Sequence, residues 1–177
     1  MSTPTTEAAA ELRVARDRFL AEWGAMGAAW GINRTMAQIH ALLLTAPAPL
    51  TTDEVMAALE ISRGNANTNL RDLAGWGLLR VVLRKGERKE YFEAEKDVWK
   101  IFCTVVHERQ RREVDPVLTV LRECADRSAK LRGAEAEAFH GMMRDLRDFV
   151  GQAATAMEKI SRSERSKIVP FVLKALR

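Results

Sequence analysis

The sequence is poor in the residues that most often build metal centres and redox sites. It contains two cysteines and three histidines among 177 residues. His40, His107 and His140 are far apart and lack metal-binding spacing, so we interpret them as surface residues or as hydrogen-bonded helix residues. Cys103 and Cys124 form no CxxC pair and fall on apolar helix faces, which favours buried, reduced thiols over a redox switch.

Motifs typical of enzymes and of membrane proteins are also missing. The sequence has no glycine-rich phosphate loop, no nucleophile elbow and no close pair of carboxylates in a loop. It has no apolar run of membrane-spanning length, and residues 1–10 lack the pattern of a secretory signal. We therefore predict a cytoplasmic, bacterial protein that is not an enzyme, has no membrane partner and needs neither cofactor nor metal.

The composition is sufficient for one hydrophobic core, and its positive charge favours a polyanionic partner without requiring one. The chain is 47% hydrophobic and 29% charged, which suits a single domain with helical extensions better than two independent domains. The formal charge of +4 and the pI near 9.3 favour a polyanion. A charge of this size is also common in ordinary soluble proteins, so composition does not decide the function.

The most informative stretch, residues 61–95, begins with a predicted helix that has one polar side. Ser62 can cap this helix, and Ala66, Leu70 and Leu73 are spaced to face a core. The opposite side then carries small, hydrogen-bonding or cationic side chains, which are types that pair with base edges or approach phosphates. We predict DNA contacts for Ser62, Arg63, Gly64, Asn65, Asn67, Thr68 and Arg71.

A basic β-hairpin is predicted directly after this helix. Hydrophobic residues alternate with others over residues 79–84, and residues 85–88 supply a glycine-containing tip before the return strand. The tip gathers four cations, Arg84, Lys85, Arg88 and Lys89. Such a loop suits phosphates or a narrow minor groove, although a charged ribbon can also be a solvated surface.

Two helices upstream complete a helix-turn-helix. Residues 35–45 predict a core helix, and Thr51 and Glu54 form a capping box at the start of a helix over residues 52–60. The short connection to Ser62 is typical of a helix-turn-helix. The predicted fold is therefore mainly α with a small β-hairpin wing (α+β), a winged helix-turn-helix with flanking helices.

Several short motifs resemble the GbsR branch of the MarR-type bacterial transcriptional regulators. They are Gly31-Ile32-Asn33-Arg34, Ile61-Ser62-Arg63-Gly64-Asn65, Asn69-Leu70-Arg71-Asp72-Leu73, Trp76-Gly77-Leu78, Glu87-Arg88-Lys89 and Tyr91-Phe92-Glu93-Ala94-Glu95. The resemblance runs over about residues 19–124 and is specific over residues 62–99. It implies a dimeric repressor or activator that binds a palindromic operator, with a recognition helix at residues 62–76, a wing tip at residues 85–89 and ligand control in some members.

The remaining segments are predicted to be dimerisation helices. Residues 8–26 carry Leu12, Ala15, Phe19 and Trp23 on one stripe. Helices are also predicted over residues 96–114, from Asp115-Pro116 onward, and over residues 134–160, followed by a charged link over residues 158–167 and a terminal helix over residues 168–176. We divide the chain into an N-terminal dimerisation helix (1–30), a winged helix-turn-helix (31–95) and a C-terminal dimerisation region (96–177).

Four aromatic residues are candidates for an effector site, namely Trp23, Trp30, Tyr91 and Trp99. They lie in sequence where the winged core meets the flanking helices, and aromatic faces can hold a small cation. Some regulators of the resembling family respond to quaternary-ammonium osmolytes. Packing anchors are the commoner role of such residues.

Two function classes fit the sequence. The first is a sequence-specific regulator that binds a double-stranded DNA operator as a homodimer under the control of a small-molecule effector. The second is a winged-helix protein-interaction module without sequence-specific DNA binding. The polar set Asn65, Asn67, Thr68 and Arg71 favours DNA, because a protein interface would carry exposed aromatic or aliphatic residues there.

Overall fold

The first two helices approach each other closely through glycine. In the computed structural model, which describes residues 6–163, α1 spans Thr6–Ala29 and α2 spans Arg34–Thr45. A Cβ atom built on Gly27 would lie 2.6 Å from the Cβ of Ala37, so only glycine fits this crossing. Phe19 and Trp23 of the predicted stripe are half-buried, whereas Leu12 is 61% exposed. The buried side of α1 is formed by Leu20, Gly24 and Gly27.

The helix-turn-helix follows the prediction closely. The side chain of Asn33 caps α2, and α3 spans Thr52–Leu59 with the capping box between Thr51 and Glu54 in place. The next helix, α4, spans Arg63–Gly75 and is capped by Ser62. The core of this unit contains the fully buried side chains Ile39, Leu43, Val55, Leu70 and Leu73.

A three-stranded antiparallel sheet forms the wing, where two strands were predicted. β1 is Leu50–Thr51, β2 is Leu79–Leu83 and β3 is Glu90–Ala94, in the spatial order β1-β3-β2. Leu50 pairs with Phe92, and Thr51 pairs with Tyr91. Thr51 therefore belongs to the sheet and also caps α3. The mainly α fold with a small β wing is confirmed.

The chain divides into two compact units, Met1–Lys96 and Asp97–Arg177. The first unit holds α1 together with the winged core. Its last residue, Lys96, donates hydrogen bonds from Nζ to the carbonyl oxygens of Leu43 (2.7 Å), Leu44 (2.7 Å) and Ala46 (3.2 Å). The positive charge of Lys96 thus lies at the carbonyl end of α2, where a cation is stabilising.

The second unit is mainly helical over its described residues and corrects one expectation. α5 spans Val98–Arg109, a π-helical segment spans Gln110–Val114, α6 spans Asp115–Ser128 and α7 spans Ala134–Arg162. Asp115 does not cap a new helix, because the chain continues helically through the π turn. Pro116 has no N–H and its ring would clash with the carbonyl four residues earlier, and the wider turn avoids this clash.

The end of α7 differs from the predicted charged link. Residues 158–162 are helical, so the link is at least five residues shorter than expected at this end. The predicted terminal helix over residues 168–176 lies outside the described residues.

Candidate nucleic-acid interface

The outward side of α4 carries the polar residues that the sequence placed there. Ala66, Leu70 and Leu73 are buried, and Asn67 is half-buried. The exposed residues of this side are Ser62, Arg63, Gly64, Asn65, Thr68 and Arg71. We call these six residues together with Asn67 the reading face. The predicted orientation of the helix is therefore correct, while contact of these residues with DNA stays a prediction.

Besides the helix cap Ser62, two residues of the reading face, Arg63 and Asn65, have intramolecular partners. The guanidinium group of Arg63 forms a salt bridge with Asp53 of α3, and both side chains are more than half exposed. An exposed ion pair of this kind contributes little to stability, so Arg63 can exchange Asp53 for a phosphate at small cost. Asn65 accepts hydrogen bonds from Asn69, which is only 4% exposed.

Asn69 is a functional candidate that the sequence analysis did not single out. Asn69 lies on the buried side of α4 together with Ala66, Leu70 and Leu73. Hydrophobic periodicity counts only apolar residues, so it does not identify a buried asparagine. The signal that could have revealed it is the pair of asparagines four residues apart, since side chains at that spacing meet on one helix face.

The cationic loop of the wing, residues 84–89, joins β2 to β3. Gly86 has φ +86°, a left-handed conformation that favours glycine at this tip. The loop carries Arg84, Lys85, Arg88 and Lys89 against one carboxylate, that of Glu87, and all of these side chains are exposed. This arrangement presents a concentrated positive charge to solvent.

Tyr91 organises the base of this loop. The guanidinium carbon of Arg84 lies 3.8 Å from the centroid of the Tyr91 ring, a cation–π contact. The Tyr91 hydroxyl donates a hydrogen bond to the carboxylate of Glu87, and this bond raises the pKa of Tyr91. Arg84 is therefore held in place before any ligand binds.

The cationic loop and the start of α3 are close enough to interact electrostatically. The pKa of Glu54 is lowered, first by hydrogen bonds from the backbone and hydroxyl of Thr51 and further by the charges of Arg84 and Lys89. Glu54 therefore stays ionised and keeps the capping box intact.

Comparisons with known proteins agree with this geometry. No family model matches the chain. The HTH-type transcriptional repressor GbsR of Bacillus subtilis (strain 168) is 27% identical over 94 residues, which cover 53% of this chain and 52% of that protein. The resemblance to GbsR is confirmed. The chain spans about half the length of this curated relative.

A solved structure described as a transcriptional regulator has the same fold. It covers 85% of this chain and 99% of its own chain, with a TM-score of 0.64 and 18% sequence identity. At that identity the likeness extends to the fold alone. Both the GbsR relative and this structure are described as transcriptional regulators.

Three of the four aromatic candidates have described neighbours. Trp23 contacts the rings of Phe19 (5.3 Å between centroids) and His40 (6.3 Å). Trp99 contacts Phe102 at 5.3 Å, and its indole N–H donates to the carbonyl oxygen of Ser163. Tyr91 makes the wing contacts described above, and Trp30 is 62% exposed after α1. The contacts of Trp23 and Trp99 are those of packing residues, and effector binding at the four positions stays a prediction.

The histidines and cysteines take structural positions. His40 is buried, and this burial, assisted by the charge of Lys96, lowers its pKa to about 4. His140 contacts the carbonyl oxygen of Ala125 (3.0 Å) through Nδ1, and His107 is exposed. Cys103 is buried on α5, and Cys124 is half-buried on α6. Within residues 6–163 no helix is long and apolar enough to cross a membrane.

Proposed function

We propose that this chain is a transcriptional regulator that binds a double-stranded DNA operator in a sequence-specific manner as a homodimer. The observation that carries the proposal is the reading face of α4 beside the cationic loop of the wing. A helix with exposed amide, hydroxyl and guanidinium groups fits the major groove, where each base pair presents a distinct pattern of donors and acceptors. An exposed basic loop fits the adjacent phosphates.

The surface chemistry of α4 supports DNA over a protein partner. The large exposed hydrophobic side chains of the first unit lie in α1, in the turn after it and in β2, and none of those described lies in α4. A protein interface would concentrate aromatic or aliphatic residues at its centre. The protein-interaction module is therefore the weaker alternative, and its best surface is the wing strand with Val81 and Leu83.

The homodimer is supported by an exposed apolar stripe on α7. The stripe consists of Phe139 (48% exposed), Met142 (57%), Leu146 (40%) and Phe149 (70%). Their spacing of three and four residues aligns them on one side of the helix. An apolar stripe on a long helix is stabilised when it is buried, and the same helix of a second copy would bury it under two-fold symmetry. Two-fold symmetry would match a palindromic operator with half-sites about one DNA turn apart.

Selection of bound fragments from genomic DNA would test sequence-specific binding. We expect the full chain to enrich one palindromic sequence, and fluorescence anisotropy should then give an affinity for it at least about a thousandfold above that for random duplex. Equal binding of all duplexes, or of none, would reject the proposal.

The oligomeric state needs its own measurement. Sedimentation velocity should give a dimer for the unmodified chain and a monomer for Phe149→Lys, because a buried charge in the stripe has no partner. Arg144→Glu, an exposed charge change on the opposite side of the same helix, is the matched control and should remain dimeric. A monomeric unmodified chain that still binds the operator would contradict the dimer.

A further inference from the structure

Asn69 uses both hydrogens of its amide group on one residue, Asn65. Its Nδ2 atom lies 2.8 Å from the backbone oxygen of Asn65 and 2.6 Å from Oδ1 of the same residue. An amide NH₂ group has two hydrogens, so its donor capacity is filled by these two bonds. Asn69 is 4% exposed, whereas Asn65 is exposed on the reading face.

The backbone carbonyl settles the orientation of both amide groups. A carbonyl oxygen only accepts, so the end of the Asn69 amide that faces it must be the NH₂ group. The Asn65 atom that faces the same NH₂ group must then also be an acceptor, which is Oδ1. Rotating either amide by 180° would bring two acceptors or two donors together inside a buried contact. The NH₂ group of Asn65 is therefore left as the free end of its amide.

We propose that Asn69 is a positioning residue that fixes Asn65 as a hydrogen-bond donor toward DNA, an inference that rests on the proposed function. An unconstrained asparagine pairs with adenine by donating to N7 and accepting from the N6 amino group at the same time. Asn69 occupies one lone pair of Oδ1 and holds this oxygen toward the helix, so the NH₂ group is the end of the Asn65 amide left to meet base edges that carry acceptors. These are N7 and O6 of guanine, N7 of adenine or O4 of thymine.

A purely structural role for Asn69 makes a different prediction. If Asn69 only satisfies its own buried amide, its replacement lowers stability and weakens binding to every duplex equally. A positioning role instead changes discrimination at one base pair and leaves the others alone. The two roles therefore separate in a measurement that follows each base pair individually.

The test starts from the operator selected with the unmodified chain. Asn65→Ala identifies the base pair that Asn65 contacts, as the position where preference is lost. Asn69→Leu, of similar size but without a donor, should reduce preference at this same pair about tenfold, with affinity for random duplex unchanged. In the Asn65→Ala background, Asn69→Leu should have no further effect on preference. Unchanged preference at that pair, or an equal loss at every pair, would overturn the inference.

Base analogues test the same idea if Asn69→Leu does not fold. For a purine at the identified pair, replacing N7 by carbon should weaken binding of the unmodified chain about tenfold. For an adenine there, removal of the N6 amino group should have no effect, and loss of binding on that removal would show Asn65 acting as an acceptor. Failure of the proposed function is a distinct result, since the unmodified chain would then select no sequence at all.

Discussion

The guanidinium carbon of Arg84 lies over the ring of Tyr91, 3.8 Å from the ring centroid. The contact joins the first residue of the cationic loop to the return strand of the wing. An arginine restrained in this way loses less side-chain entropy when it meets a phosphate than a freely rotating one would. Much of the orientation of Arg84 is therefore set before DNA arrives.

Removal of the Tyr91 ring should weaken DNA binding through Arg84. An exposed cation–π contact contributes about 0.5–1 kcal/mol, so Tyr91→Leu should raise the Kd for operator roughly two- to fivefold. Tyr91→Phe keeps the ring and should bind almost as well as the unmodified chain, although it loses the hydrogen bond to Glu87. Anisotropy titrations in the Arg84→Ala background provide the check. An undiminished effect of Tyr91→Leu there would mean that Arg84 is not involved.

Reading and anchoring residues should differ in how they respond to sequence and salt. Arg71→Ala should remove a base contact and reduce discrimination between operator and random duplex by about 1–3 kcal/mol, and we expect a similar result for Asn67→Ala. Arg88→Ala or Lys85→Ala should weaken binding to both duplexes and lower the slope of log affinity against log salt by about one.

The control for these four variants is Arg132→Ala, an exposed arginine in the connection between α6 and α7. Titrations of operator and random duplex at several salt concentrations measure both quantities. The division between reading and anchoring is wrong if every variant affects both duplexes by the same factor.

Gly64 should show opposite effects on stability and on binding. No atom lies within 4 Å of a Cβ built on this glycine, so Gly64→Ala should raise the free energy of unfolding by about 0.5–1 kcal/mol through helix propensity. If the bare backbone lies against a phosphate, the added methyl group should weaken DNA binding roughly tenfold, the loss of about one charge-assisted hydrogen bond.

Gly75 offers the matched control at the opposite end of the same helix, where a Cβ also has no neighbour within 4 Å. Gly75→Ala should leave DNA affinity unchanged. Urea unfolding and anisotropy titration give the two quantities for both variants. Unaltered DNA affinity in Gly64→Ala would show that Gly64 does not lie against a phosphate.

Buried His40 should make the protein less stable as the pH falls. Its pKa is about 4 in the folded protein and 6.5 without burial, so the unfolded chain binds the proton first. Stability should therefore decrease between about pH 6.5 and 4, by about 3 kcal/mol in total if His40 acts alone. His40→Leu should flatten this part of the curve by up to about 1.4 kcal/mol per pH unit.

Exposed His107 supplies the control, since His107→Gln should leave the pH dependence intact. Urea unfolding at intervals between pH 7.5 and 4.5 measures the free energy of unfolding of each variant. One proton can change this free energy by at most about 1.4 kcal/mol per pH unit. A slope in His40→Leu equal to that of the unmodified chain would assign the acid sensitivity to other groups.

Local chemistry explains why much of the fold was predictable. The start of α4 depends on the Ser62 hydroxyl and the start of α3 on Thr51 and Glu54, all within a few residues of the helix ends that they cap. The outward direction of Arg71 follows from the spacing of Leu70 and Leu73 alone. Such information is contained in a short window of sequence.

The features that escaped prediction depend on partners distant in sequence or on residues that hydropathy ignores. The two-residue strand β1 exists because Phe92 and Tyr91 pair with it. Gly27 matters because Ala37 lies opposite, and the role of Asn69 requires knowing that it is buried. Asp115-Pro116 predicts the start of a separate helix, whereas the chain continues helically through a π turn over Gln110–Val114 that hydropathy cannot indicate.

Thr51 lies at the point where the sheet and the helix-turn-helix share one residue. Its backbone pairs with β3, its hydroxyl accepts the N–H of Glu54, and it is 8% exposed. Opening of β1 must therefore disrupt the first turn of α3 as well. In hydrogen-exchange terms, we expect the amides of β3 that face β1 and the first hydrogen-bonded amides of α3 to share one opening free energy. The fold can tolerate changes in the length or charge of the wing tip, whereas the root of the wing should unfold only together with α3.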